Sequence, residues 1–121
     1  MVDFVELENL LMEKNREYEE LVDKYKEQLI KVATLKNEAK KKYAIAFLKY
    51  RAEGENGKKK NTEEEAKQLA ILDSFEESMK SDIEKALADG MAEKIEQLKM
   101  EIDSLRSILS AYKQTYERVM G

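Results

Sequence analysis

The side chains able to do chemistry in this chain are amines, carboxylates and phenols, and their spacing limits what each set can do. Nine basic residues gather between positions 36 and 60: Lys36, Lys40, Lys41, Lys42, Lys49, Arg51, Lys58, Lys59 and Lys60. Only three acidic residues share that stretch, so it carries +6, while residues 1–35 carry −4 and residues 61–121 carry −6. A basic zone of this kind suits nucleic-acid phosphates or an acidic protein surface. Tyr43 and Tyr50 lie among the lysines, where aromatic rings can stack on bases. Their heptad spacing is also that of core residues. The plainer reading of the lysines is a solvated face, partly neutralised by Glu63, Glu64 and Glu65.

The carboxylates offer less. Pairs such as Glu13 with Glu17 and Glu93 with Glu96 sit one helical turn apart, but helix-borne metal sites ordinarily add an imidazole. The chain has no histidine and no cysteine, which excludes imidazole and thiolate ligands, disulfides and cysteine nucleophiles. Neighbouring opposite charges, as in Glu20–Lys24 and Glu27–Lys31, mark ordinary helix-surface pairs. Gly54-Glu55-Asn56-Gly57-Lys58 lacks the spacing of a phosphate loop, and no strand precedes it. We therefore expect no enzyme activity, no metal and no cofactor.

These residues are carried by helices. The chain has 121 residues, no proline, no tryptophan and 40% charged side chains, a composition that suits long helices or coiled coil. Positions 4, 11, 18, 25, 32, 39 and 46 are all apolar. A companion seam runs through Leu7, Leu21 and Leu35, then drifts to Leu29, Tyr43 and Tyr50. Asp3 is the expected N-cap, with Glu6 three residues on. The pattern predicts a helix from about residue 3 to 52 and a loop over about 53–61, where glycine and asparagine cluster. Thr62 with Glu65 forms a capping box that opens a second helix, from about 62 to 120. Its predicted stripe is Leu69, Leu72, Phe75, Met79, Ile83, Leu87, Met91, Ile95, Leu98, Ile102, Leu105, Leu109, Tyr112, Tyr116 and Val119.

Gly90 could end a helix, which would give a three-helix arrangement. The stripe crosses it without a register jump, which favours one helix with a bend near Gly90. The predicted fold is all-α: a long antiparallel helical hairpin or coiled coil, filling residues 1–121 as a single elongated domain. Helices of this length would span about 75 and 87 Å. Folding back places Ala39 opposite Phe75, and Tyr25 opposite Asp89 and Gly90. Apolar residues off the stripe, chiefly Phe47, Leu48, Ile71, Met100 and Ile108, predict a partner or oligomer surface, with a homodimer as the default. No apolar run approaches the ~18–20 residues of a membrane span, and no signal peptide opens the chain, so a cytoplasmic protein is expected.

The segment from Ala39 to Tyr116 resembles a group of small helical phage and prophage proteins. The likeness rests on Ala39, Tyr43, Ala46, Tyr50 and Arg51, on the turn into Thr62-Glu63-Glu64-Glu65, and on Asp103-Ser104-Leu105-Arg106-Ser107. The Lys-rich loop is longer than the Gly-Lys-Thr turn usual in that group. Prefoldin-like hairpins share the two-helix plan but need a β-rich middle segment, for which residues 53–61 are too few and too polar.

The phage resemblance implies a bacterial host cell and a non-enzymatic accessory protein that contacts a DNA-processing partner through its helices. Its basic tip of Lys40, Lys41, Lys42, Lys49, Arg51, Lys58, Lys59 and Lys60 would lie near DNA or on the partner. Two further readings stand beside it. One is an acidic, DNA-mimicking inhibitor of a bacterial defence nuclease, comparable to an anti-CRISPR protein. The other is a structural coiled-coil spacer.

Overall fold

The computed structural model describes residues 3–52 and 61–120, and these are almost wholly helical. Three α-helices follow in order, α1 (Phe4–Ala52), α2 (Glu63–Asp73) and α3 (Phe75–Met120). The start of α1 is fixed by Asp3, whose carboxylate accepts the Glu6 N–H at 2.8 Å, satisfying an amide the first turn leaves unpaired. At its other end, Asn61 Nδ2 donates to the Tyr50 carbonyl at 2.9 Å, and the Arg51 guanidinium donates to the Asn61 carbonyl at 2.9 Å. Thr62 caps α2, its hydroxyl accepting the Glu65 N–H at 3.2 Å. Glu63, Glu64 and Glu65 then face the positive end of the helix dipole. The predicted loop residues 53–60 lie outside the described residues.

The interruption in the second half of the chain falls at Ser74, not at Gly90, so the three-helix arrangement broken at Gly90 is not what forms. The Ser74 hydroxyl donates to the Ala70 carbonyl at 2.8 Å, in competition with the helix backbone. Such back-bonding bends helices. The ladder resumes at once, with the Ser78 N–H donating to the Ser74 carbonyl at 3.0 Å. Helix α3 passes through Gly90 unbroken, and a Cβ placed there would meet nothing within 4 Å. Gly90→Ala should therefore stabilise the protein by about 1 kcal/mol through helix propensity alone. A rise in melting temperature of roughly 3–6 °C, followed by circular dichroism, is the expected outcome.

The helices pack in two units. The first joins the start of α1, up to Lys26, to α3 from Asp89 onward. The second comprises residues 27–88. In both units α1 runs antiparallel to its partner helix. In the first unit the core is Leu7 with Ile95, Leu98, Ile102 and Leu105, and Lys14 Nζ lies 3.1 Å from Glu101 Oε2 across the seam. These α3 residues belong to the stripe predicted from sequence.

The second unit departs from that stripe. Its buried residues are Ala46 on α1 with Ala66, Ala70, Ser74, Ser81 and Ala88. The larger Leu72, Phe75, Met79, Ile83 and Leu87 are 45–71% exposed. Phe75, expected to pack opposite Ala39, is accordingly 55% exposed. The cause is a mismatch of two periods. From Phe75 to Ile95 the large apolar residues recur at every fourth position, longer than a helical turn. The line that faces α1 recurs near the 3.5-residue heptad period instead. The two lines coincide at Ile95 and diverge toward the start of α3.

Candidate interaction surfaces

Among the basic residues in the described part of the second unit, Lys42 is committed to its own fold. Its Nζ donates to Glu77 Oε1 at 2.7 Å, bridging α1 to α3. That hydrogen bond raises the Lys42 ammonium above its ordinary value and holds the Glu77 carboxyl below the usual carboxylate range. Arg51 is engaged at Asn61, and the Lys49 ammonium lies 5.7 Å from the centre of the Tyr50 ring. Lys36, Lys40 and Lys41 are exposed. Successive helical positions turn by about 100°, so Lys40, Lys41 and Lys42 fan around α1 and do not converge on one phosphate. Lys58, Lys59 and Lys60 lie outside the described residues.

The tyrosines are turned to packing. Tyr43 stacks on Phe47, with ring centres 6.3 Å apart and planes inclined by 12°. Tyr50 is half-buried and donates its hydroxyl to Asp73 Oδ2 at 2.8 Å. A second polar tie lies nearer the middle of α1. Gln28 Nε2 donates to both the carbonyl and the carboxylate of Glu84, at 2.9 and 2.6 Å, and Lys31 Nζ sits 3.1 Å from the same carboxylate. Gln28 first and Lys31 second hold the Glu84 carboxyl low. In the first unit, the Glu101 carboxylate raises the Lys14 ammonium. These ties lock the register of the antiparallel helices. Among the described residues no group of three or more acidic side chains converges as a metal site would require.

Of the residues expected to form a partner surface, Leu48 and Ile71 are exposed in the second unit, and Met100 and Ile108 in the first. Phe47 is half-buried against Tyr43 and contributes to its own chain's packing. A further apolar face was not singled out as a surface by the sequence. It is Leu72, Phe75, Met79, Ile83 and Leu87, turned away from the face of the same helices that packs on α1. Its signal is legible in retrospect: a second line of small residues, Ala66, Ala70, Ser74, Ser81 and Ala88, runs beside it at helical spacing. No protein-family model, curated protein or solved structure matches the chain. No described helix is long and apolar enough to cross a membrane.

Proposed function

We propose that this chain is a non-enzymatic helical accessory protein that works by helix–helix docking. The observation that carries the reading is the large apolar face on α2 and α3, left uncovered by the described helices. Monomeric proteins rarely expose contiguous apolar surface beyond a few hundred Å² unless it binds something. The off-stripe apolar residues favour self-association, and the resemblance of residues 39–116 to small phage and prophage proteins suggests a DNA-processing protein as the partner. The basic residues of α1 act in a supporting role near DNA. Their fanned arrangement and the half-burial of Tyr43 and Tyr50 against their own chain favour a protein partner over direct recognition of nucleic acid.

Fluorescence anisotropy of labelled single- and double-stranded DNA tests this with the chain alone. No saturable binding is expected at ~0.15 M salt, where unassisted phosphate contacts are already weakened. Saturable binding that falls with salt, and is lost when Lys36, Lys40, Lys41 and Lys49 are replaced by glutamine, would replace the docking reading with a nucleic-acid one.

A further inference from the structure

We infer that the exposed stripe of Leu72, Phe75, Met79, Ile83 and Leu87 is a two-fold, antiparallel docking surface for the same stripe of a second copy. This rests on the helix-docking reading above and names its occupant. The five side chains offer roughly 500 Å² of apolar surface per copy. With flanking residues this approaches the ~800 Å² per partner of a standard protein interface. The layout is self-complementary. Met79 is the middle residue of the five, with Phe75 and Ile83 four positions to either side. An antiparallel copy centred there sets Phe75 against the second Ile83, Leu72 against the second Leu87, and Met79 against itself.

The charges agree with this pairing. Glu76 and Lys80 border the stripe on the same side and are both exposed. Neither forms an ion pair with another described residue. In the antiparallel arrangement Glu76 of each copy approaches Lys80 of the other, twice across the axis. In a parallel copy the two-fold axis runs along the helices and carries these same-side charges to opposite edges of the interface, so neither ion pair forms. Among the described residues the same face of these helices has no competing use, because α1 packs on the line of small residues.

Cross-linking tests the geometry cleanly, because the chain has no cysteine of its own. Under mild oxidation Met79→Cys should give a covalent dimer, since a disulfide forms only between Cα atoms within about 7 Å. Phe75→Cys and Ile83→Cys should each stay monomeric alone and cross-link when mixed. Met12→Cys, exposed and outside the stripe, is the control. In sedimentation velocity the unmodified protein should self-associate with a Kd on the order of 10 µM. Ile83→Glu should be largely monomeric at ~100 µM with unchanged helicity, a Kd weakened at least ~100-fold. Glu76→Lys should weaken association, and adding Lys80→Glu should restore it. A monomeric natural protein at ~100 µM, a Met79→Cys yield no higher than the Met12→Cys control, or Phe75→Cys dimers forming alone would each overturn the proposal. Any of these results would leave the DNA titration, and the docking reading it tests, standing on its own outcome.

Discussion

Leu98→Ala should be the most damaging conservative truncation in the first unit, and Leu87→Ala should be mild. By spacing alone the two leucines belong to one stripe and are equivalent. In the structure Leu98 is 3% exposed between α1 and α3, whereas Leu87 is 53% exposed. Truncating a buried leucine removes its transfer energy and leaves a cavity, at about 2–5 kcal/mol. A seam between two helices closes up more easily than a deep core, so about 2–3 kcal/mol is expected here. That is a large part of the total for a domain whose whole stability is on the order of 10 kcal/mol. The melting temperature should fall by on the order of 10 °C for Leu98→Ala, and by only a few degrees for Leu87→Ala. Thermal unfolding at low micromolar protein, where association contributes little, checks both. Equal losses at the two positions would mean that α3 presents the whole apolar stripe to α1.

The helix ends were legible in the sequence because caps are local chemistry. Asp3 and Thr62 each need only the amide three residues ahead, and both make that bond. The α1 seam was legible for a related reason: its apolar residues recur at the heptad period, so pattern and contact line coincide over most of the helix. Phe4 and Leu29 are exposed, however, and Gln28 reaches across to Glu84 beside the place expected of Leu29. From Ile95 to Leu109 the same holds for α3, while Tyr112, Tyr116 and Val119 of the predicted stripe are exposed. Residues 63–88 were misread because hydrophobic periodicity weights large side chains. Two helices in close approach select small ones, and Ala66, Ala70 and Ala88 give a weak apolar signal. The interruption at Ser74 was hidden because serine is compatible with a helix; what matters is its bond to the Ala70 carbonyl. At the candidate site, the sequence located the basic zone but not which lysine was already spent. Lys42 differs from Lys41 only by the turn of the helix that aims it at Glu77.

Ala70→Leu tests the small-residue seam directly, and the two ways of orienting residues 63–88 give opposite expectations. On the apolar-stripe orientation, Ala70 lies off the packing face, and leucine there is close to neutral because its helix propensity nearly matches that of alanine. In the structure Ala70 is 0% exposed, as is Ala66 one turn earlier. The added carbons of leucine must then part α2 from α1 or force strained rotamers, at about 1–3 kcal/mol or more. Parting the helices would also strain the Tyr50–Asp73 and Lys42–Glu77 bonds on the same face, which hold at 2.8 and 2.7 Å. The expected result is a drop of roughly 5–15 °C in melting temperature. Leu72→Ala, two positions away and 71% exposed, should stay within about 0.5 kcal/mol at the same dilute concentration. If Ala70→Leu were harmless and Leu72→Ala costly, α2 would have to be rotated by about half a turn, and the free apolar face would vanish with it. Because the exposed stripe and the buried alanines are two sides of one helix orientation, this pair of substitutions also decides whether the docking surface exists.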